Sequence, residues 1–474
     1  MSVPVTTFRL DRAIGHWAHT TPERVAVRSG SACYSYRALY RLSHHIRNTI
    51  LVSLDGRPAK LGIGTDEHHI AIAAMCACLE LGIGYVVLAP SWAPEIVADV
   101  LAQGHIVHVL TDQDVRGRLP PHVTVVQVRD DPGADDALGA AHNMSRLTDF
   151  ECYLLTSGSS GAPKLVEKSA HSIMSECVAW LIELEVSRQS DLLLAQSLHY
   201  SGCWFFCMAT MLAGGSVTFV SSRPTEALVQ GIRAHQGTHL FLLPSQLRRI
   251  LHEIGWAELL AALPRLQVWL SLGERLGAHE KLHLSQCDFR LIEMWGNTEG
   301  LGSIWNGAEG RPLASVGRSF IFDELFVEYP IGKTPSGYEV GAIGVITDAT
   351  SDGDGGKILS SDQGYLVDSS LFLIGRMEEV VRNRSGLIVE PHDLYAVIET
   401  LLPGLSTAFV CDDGEHSLFV ETGNMAADLG HLRDEIVLRF LEDLDTVVRP
   451  IFRREFERTS SGKIDRARLF SDGM

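Results

Sequence analysis

Cysteine is scarce in this sequence, and the few cysteines are not spaced for metal binding. Nine occur among 474 residues, an odd number, and none forms the paired Cys-x-x-Cys pattern of a metal ribbon. Free thiols in a reducing compartment are the simplest interpretation. We therefore expect a cytoplasmic protein that does not depend on disulfide bonds.

Long apolar runs and a basic leader are also missing. The first residues, MSVPVTTFRLDRAIGHWAHTTPERVAV, lack the basic-then-apolar pattern of a signal peptide. The apolar stretch over residues 71–88 is broken by Glu80 and by glycines, and it is too short to span a bilayer. The sequence thus predicts no contact with a membrane.

Positive charge is in deficit. The chain has 58 acidic and 40 basic side chains, a formal net charge of −18, which on average repels nucleic-acid phosphates. A hydrophobic fraction of 46% and a charged fraction of 21% are typical of a globular protein. The length exceeds that of one ordinary core and indicates two or more domains.

Helix and strand patterns alternate in the first half of the chain. The predicted elements are helices over residues 69–81 and 94–103 and strands over residues 85–88, 106–110, 216–220 and 239–243. Such alternation, with short Gly or Pro punctuation, predicts an α/β fold built from βαβ units and a mostly parallel sheet. Residues 129–140 and 350–357 are predicted loops.

The βαβ rhythm stops near residue 372. Short strands and two helices follow in a compact segment that runs to the end of the sequence. We place a boundary at Arg376, which divides the chain into a large N-terminal domain, residues 1–375, and a small α+β C-terminal domain, residues 376–474.

The strongest local motif is LLTSGSSGAPK at residues 154–164. A buried strand runs into Thr, Ser and Gly residues, whose backbone N–H groups and hydroxyls suit a phosphate, and Lys164 adds positive charge. The Walker A pattern is absent. A flexible surface loop of Ser and Gly has the same composition, so the motif alone leaves both interpretations open.

Five further motifs follow in order: LGERL (272–276), MWGNTEG (294–300), SDQGYL (361–366), GRMEE (375–379) and TSSGKIDR (459–466). Together with TSGSSGAPK, this series resembles the adenylate-forming (AMP-binding) superfamily of acyl- and aryl-CoA ligases, luciferases and nonribosomal-peptide-synthetase adenylation domains. The resemblance runs from about residue 10 to the end. It implies a large N-terminal domain of layered βαβ sheets and a small mobile C-terminal lid.

The resemblance also assigns the ATP site. The residues that would wrap the phosphates are Thr156, Ser157, Gly158, Ser159, Ser160, Gly161 and Lys164. Those that would hold the nucleoside are Gly273, Glu274, Trp295, Gly296, Asn297, Asp362 and Arg376. Trp295 replaces the family's usual tyrosine and would stack on the adenine. Asp362 would accept hydrogen bonds from both ribose hydroxyls; a turn aspartate is the plainer alternative.

Three residues would serve the chemistry itself. Thr298 and Glu299 would hold Mg²⁺, a hard cation that takes carboxylates and phosphate oxygens; otherwise Glu299 is a solvated acid at a helix start. Lys463 would stabilise the negative charge that develops as a carboxylate attacks the α-phosphate. Outside a closed lid, Lys463 would be an exposed lysine in a turn. Glu378 lies where relatives have their hinge residue, usually Asp.

The residues assigned to the acid substrate are His199, Tyr200, Cys203, Leu272, Met294, Gly302 and Ser303. Relatives that activate amino acids have an aspartate where His199 stands, and a buried ammonium without that partner would cost several kcal/mol. The sequence therefore favours an aryl or acyl carboxylate that lacks a free α-amino group. His199, Cys203 and Cys207 also share helical spacing that suits a metal, although a core stripe is the simpler interpretation.

These observations predict an ATP- and Mg²⁺-dependent ligase that forms an acyl-adenylate and passes the acyl group to a phosphopantetheine thiol. LFLLPSQL and TSSGKIDRARL resemble synthetase segments and favour a carrier protein over CoA as the acceptor. Lid arginines, Arg449 and Arg453 among them, would face an acidic carrier or simply solvent. An amine acceptor, an amino-acid adenylation enzyme and a non-catalytic nucleotide binder remain as alternatives.

Overall fold

A computed structural model shows the arrangement of the chain. It describes residues 10–55, 60–89, 91–113, 118–130, 151–157, 163–300, 302–347, 356–402, 405–412, 414–423, 428–457, 464 and 468–469.

The helices and strands, in chain order, have the following bounds. The helices are α1 (Leu10–Thr20), α2 (Tyr36–Leu54), α3 (His68–Leu81), α4 (Pro94–Gln103), α5 (Ala170–Glu183), α6 (Ser201–Ala213), α7 (Thr225–His235), α8 (Pro244–Ala261), α9 (Ala278–Ser285), α10 (Pro391–Leu401) and α11 (Leu429–Leu444). The strands are β1 (Val25–Ser29), β2 (Ala32–Ser35), β3 (Lys60–Ile63), β4 (Gly84–Val87), β5 (His108–Thr111), β6 (Thr124–Gln127), β7 (Glu151–Ser157), β8 (Pro163–Ser169), β9 (Asp191–Leu194), β10 (Ser216–Phe219), β11 (His239–Leu242), β12 (Val268–Leu272), β13 (Arg290–Trp295), β14 (Ser303–Asn306), β15 (Arg318–Ser319), β16 (Asp323–Lys333), β17 (Glu339–Thr347), β18 (Gly356–Val367), β19 (Ser370–Arg376), β20 (Thr407–Asp412), β21 (Glu415–Glu421) and β22 (Val448–Arg453).

The predicted helices are confirmed nearly to the residue. Helix α4 has the predicted bounds, because Pro94 occupies its first turn, where a missing N–H costs nothing. Helix α3 begins one residue earlier than predicted and ends at Gly82, which adopts a left-handed φ of 67°. Each predicted strand is also present, with ends shifted by at most two residues.

The described chain forms two compact units. The first contains the described residues up to Leu242 together with Ile250–Val268, and the second contains Leu243–Arg249, Trp269–Thr347 and the described residues from Gly356 onward. The boundary at Arg376 is a different division, and it stays a prediction.

The first unit is built from parallel strands connected by helices. One sheet has the order β6-β5-β3-β4-β7-β8, parallel from β6 to β7 with β8 antiparallel at the edge. In the second sheet the consecutive strands β11-β9-β10-β1-β2 are parallel except for β2. This arrangement confirms the predicted βαβ architecture. In such sheets, ligands bind at the loops that follow the carboxyl ends of the strands.

The second unit is mainly antiparallel. Strands β13, β14 and β15 pair in that order, and β16 to β19 form a four-stranded meander. The predicted α+β segment follows, with β20-β21-β22 and helices α10 and α11 around a core that includes Phe409, Leu418 and Phe440. Layered sheets with a smaller α+β part at the end confirm the predicted fold class.

The loop predictions hold only in part. Gly356 and Lys357, predicted as loop, are the first residues of β18 and pair with Thr347 and Ile346 of β17. The prediction of a loop is therefore wrong for these two residues. Their pairing with β17 makes them part of a strand, although the glycine-rich composition is typical of a loop. The remainder of 350–357, and residues 131–140 of the other loop, lie outside the described residues.

No helix in the described part of the chain combines the length and apolar character that crossing a membrane requires.

Candidate active site

The phosphate motif begins at a strand hairpin. Strands β7 and β8 pair antiparallel, and the register places Thr156 opposite Lys164 and Ser157 opposite Pro163. Directly opposite residues project to the same face, so the side chains of Thr156 and of the exposed Lys164 share one face of the hairpin. Gly158, Ser159, Ser160 and Gly161 lie outside the described residues. The described part of the motif thus places a hydroxyl and a cation on the same face.

Two of the nucleoside motifs meet at a carboxylate in the second unit. Asp362 and Arg376 are directly opposite each other on β18 and β19, and the Nε of Arg376 lies 2.7 Å from Oδ1 of Asp362. The indole Nε1 of Trp295, at the end of β13, donates to Oδ2 of the same carboxylate at 2.8 Å. The structure therefore brings together three residues that the sequence assigned separately to the ATP site.

The turn after β13 holds the residues assigned to magnesium. Asn297 Oδ1 accepts from the backbone N of Gly300 at 2.9 Å and closes the turn, while Gly296 is exposed. Thr298 is buried and Glu299 is exposed. A hydroxyl and a carboxylate supply the oxygen donors that Mg²⁺ takes alongside substrate phosphates, so the donor set fits this ion.

Glu274 has a contact that sequence reasoning missed. It follows Gly273, whose φ of 92° requires glycine, and its carboxylate accepts from the backbone N and the hydroxyl of Ser245, both at 3.0 Å. Glu274 thus holds the start of α8. The Pro-Ser pair in LFLLPSQL signals a helix start, but nothing local identifies its partner.

A buried ion pair lies directly beside these motifs. Glu293, two residues before Trp295, accepts from the backbone N of Leu276 at 2.9 Å and from Lys281 Nζ at 2.7 Å. Lys281 also lies 4.0 Å from the centre of the Trp305 ring. Burial lowers the pKa of Lys281, while Glu293 acts against that shift. Glu293 is recognisable in the sequence as an acid among the apolar residues of 291–295, whereas nothing local identifies Lys281 as its partner.

His199 and Tyr200 lie next to the phosphate hairpin. The backbone of Tyr200 forms a parallel bridge with Leu155 of β7. The His199 ring meets Trp92 edge to face at 5.4 Å, and its buried Nδ1 has no hydrogen-bond partner among the described residues. Burial lowers the pKa of His199 from 6.5 to about 4. The imidazole is therefore neutral at pH 7 and faces a mostly apolar neighbour.

The predicted helical stripe is wrong for His199, whereas Cys203 and Cys207 lie in α6 and are fully buried, as the core interpretation predicts. Helix α6 begins at Ser201, because the extended Tyr200 pairs with β7 before the first helical turn. The Cys203 thiol is fully buried, donates to the Gln196 carbonyl at 3.2 Å, and has a pKa that burial raises. The group of metal-type side chains found among the described residues is elsewhere, at Glu390, His392 and Asp393.

The remaining substrate residues lie on β12 to β14 in the second unit. Leu272 ends β12, Met294 is buried in β13, and Ser303 donates its hydroxyl to the Val316 carbonyl at 2.8 Å. A Cβ at Gly302 would lie 2.3 Å from the Trp295 carbonyl oxygen, so only glycine fits there. Their contact with a substrate stays a prediction.

The resemblance assigns a hinge role to Glu378 and a catalytic role to Lys463. Glu378 is exposed in a short 3-10 helix, Met377–Glu379, where Glu379, not Glu378, accepts from the Arg376 backbone N at 2.6 Å. Lys463 lies outside the described residues. The hinge role of Glu378 and the catalytic role of Lys463 stay predictions.

Comparison with known proteins supports the same family. D-lysergyl-peptide-synthetase subunit 2 from Claviceps purpurea is 25% identical over 306 residues, which cover 61% of this chain and 22% of that protein. The chain therefore matches only about a fifth of the length of this curated relative.

Solved structures share the fold. ATP-bound MatB from Rhodopseudomonas palustris has a TM-score of 0.80 at 17% identity, covering 98% of this chain and 99% of that chain. The anthranilate CoA ligase AuaEII in complex with anthranoyl-AMP has a TM-score of 0.81 at 16% identity, covering 98% and 97%. The family model described as AMP-binding enzyme matches residues 14–349, well over half of the sequence. The chain therefore belongs to the adenylate-forming family of AMP-binding enzymes.

Proposed function

We propose that this enzyme is an ATP-dependent acid–thiol ligase. It activates an aryl or acyl carboxylate that lacks a free α-amino group, releases pyrophosphate, and transfers the acyl group to the phosphopantetheine thiol of a carrier protein. The observation that carries the nucleotide part is the Asp362 carboxylate with Trp295 and Arg376 on its two oxygens.

The first half-reaction needs positioning and charge stabilisation. The ionised carboxylate of the substrate attacks the α-phosphorus of ATP, and the bond to the bridging oxygen breaks as pyrophosphate leaves. No general base is needed, because a carboxylic acid is already deprotonated at neutral pH. Lys164 beside Thr156 would neutralise phosphate charge, and Lys463 would do so at the reacting phosphorus. Two similar structures, one with ATP and one with an acyl-AMP, support a reaction in which ATP is bound and an acyl-AMP is formed.

Mg²⁺ is the implied metal ion. Glu299 and Thr298 would hold it together with phosphate oxygens, and when bound it offsets the charge of the triphosphate.

The surroundings of His199 support one class of acid substrate. An α-ammonium buried near this residue would lack an anionic partner, since the imidazole is neutral and Trp92 is its neighbour. An aryl or aliphatic carboxylate places only apolar surface there. The acyl-AMP in the anthranilate CoA ligase is an aryl case. This supports a substrate without a free α-amino group and stands against the amino-acid alternative.

The second half-reaction transfers the acyl group. A thiolate attacks the carbonyl carbon of the adenylate, and the carbon–oxygen bond to AMP breaks. The match to a peptide synthetase subunit supports a carrier-bound thiol, whereas the likeness to CoA ligases keeps CoA as the alternative.

An acceptor competition tests this proposal. AMP release is measured with ATP and the best acid, in the presence of a phosphopantetheinylated aryl carrier protein, its unmodified apo form, CoA or hydroxylamine. We expect the modified carrier to accelerate AMP release at least about tenfold over the apo form. Faster turnover with CoA or hydroxylamine than with the modified carrier would contradict the carrier assignment.

A further inference from the structure

We propose that Trp295 is a positioning residue that orients Asp362, and that this contact sets the preference for a sugar with two neighbouring hydroxyls. The inference rests on the proposed nucleotide site and adds to it. It differs from a stacking role, because the group that acts is the indole N–H.

The two donors on Asp362 differ in mobility. The Asp362 and Arg376 side chains are 18% and 50% exposed, so the guanidinium is largely solvated. Trp295 is only 9% exposed as a whole residue and packs in a cluster with Val316, Ile343, Val345 and Leu371. An exposed ion pair contributes little to holding a geometry, whereas a ring fixed on a packed core is a rigid donor. Trp295 therefore determines the carboxylate's orientation more than Arg376 does.

With donors counted among the described residues, the Asp362 carboxylate retains one acceptor position on each oxygen. An ionised carboxylate has about four lone-pair sites, and the indole and the guanidinium each use one, on different oxygens. The remaining two, one per oxygen, match the two hydroxyls of a ribose. Without the indole, the soft torsion next to the carboxylate would allow its plane to rotate, and this match would be lost.

The low exposure of Trp295 supports the same conclusion. With the whole residue only 9% exposed, Trp295 offers little area to a stacked base. The hydrogen bond, in contrast, is already formed in the structure. Both Trp295 and Asp362 belong to the second unit, so the contact is internal to one compact body.

The test compares Trp295→Phe with the matched variant Trp305→Phe. Trp305 is also buried, in the neighbouring strand β14, and donates its indole N–H to the Pro312 carbonyl at 3.1 Å. Binding of ATP, 2′-deoxyATP and 3′-deoxyATP is measured by titration calorimetry, and kcat and KM for each by pyrophosphate exchange. Nucleotide binding requires no carboxylic acid. The calorimetry therefore tests the role of Trp295 even if the proposed class of acid substrate is wrong.

We expect Trp295→Phe to lower the discrimination between ATP and the two deoxy analogues by about tenfold. KM for ATP should rise while kcat changes little, and Trp305→Phe should keep the wild-type ratio. In an Asp362→Ala background, Trp295→Phe should have no further effect on the ratio. Equal loss of affinity for all three nucleotides, or an unchanged ratio, would overturn the proposal.

Discussion

Two histidines in the first unit are held neutral by their surroundings. Burial lowers the pKa of His199 to about 4, beside Trp92, and that of His68, which stacks on Phe219 at 3.8 Å, to about 4 as well. Asp66 acts against the shift of His68, whereas the neighbouring His69 and His199 add to it. Neither imidazole therefore binds a proton in the folded protein until the solution is distinctly acidic.

The pH dependence of stability follows from these values. The unfolded chain protonates both rings near pH 6.5, whereas the folded chain does so near pH 4. The unfolded state binds more protons between these values, so the free energy of unfolding falls as the pH decreases from 6.5 to 4. We expect His199→Phe to flatten this fall, measured as the urea midpoint against pH.

The exposed His431 on α11 provides the control. His431→Phe changes the same residue type on a solvated surface, so it should leave the slope near that of the wild type. A His199→Phe variant with the wild-type slope between pH 6.5 and 4 would show that His199 does not carry the effect.

The residues of the candidate site could be predicted from the motifs, whereas the contacts between these residues could not. The motifs identify Trp295, Asp362 and Arg376, but the bond from Trp295 to Asp362 joins positions 67 apart in the sequence. No local pattern encodes such a pair. Likewise, Glu293 is visible as an acid among the apolar residues of 291–295, yet only the folded chain shows that it pairs with Lys281.

Among the elements, helix α9 depends on an acid from α10. Glu399 Oε1 accepts from the backbone N of Ala278 at 2.7 Å, and Glu280 accepts from the backbone N of Gly277 at 2.8 Å. The first N–H groups of a helix have no partner within it, and a side-chain acceptor there contributes about 1 kcal/mol. Glu399 thus caps α9 across a long sequence separation.

We expect Glu399→Ala to reduce the amide-exchange protection at the start of α9 and to lower stability by about 1 kcal/mol. Hydrogen exchange followed by mass spectrometry of the peptide over residues 275–285 measures this directly. Glu435→Ala, at an exposed position of α11, is the matched control. Unchanged exchange at Ala278 in the Glu399 variant would refute the capping role.

Element boundaries were predictable where the signal is local. Helix α4 has Pro94 at its start, and the prediction agrees with the structure. The start of α6 was missed because Tyr200 pairs with Leu155 of β7. Strand β18 begins inside the predicted loop over residues 350–357. There Lys357 pairs with Ile346, lies over the Phe326 ring at 4.3 Å and forms an ion pair with Glu328. In both cases a distant contact overrides local composition.

For the whole molecule, the order of the motifs indicated the family that the comparisons confirm. The fold class was predictable for the same reason, since alternating strand and helix patterns allow few arrangements. The carrier-protein acceptor stays a prediction, because a carrier thiol, CoA and an amine would all react with the same acyl-adenylate. The chemistry that activates the acid is common to all three.

Acid-dependent exchange of pyrophosphate into ATP measures this activation, with wild type and Lys463→Ala compared across a panel of acids. We predict exchange with at least one aromatic or aliphatic carboxylate, none with alanine or proline, and its loss in Lys463→Ala. Strong exchange with alanine or proline would show that the substrate is an amino acid, and undiminished exchange in Lys463→Ala would show that this lysine takes no part in the activation.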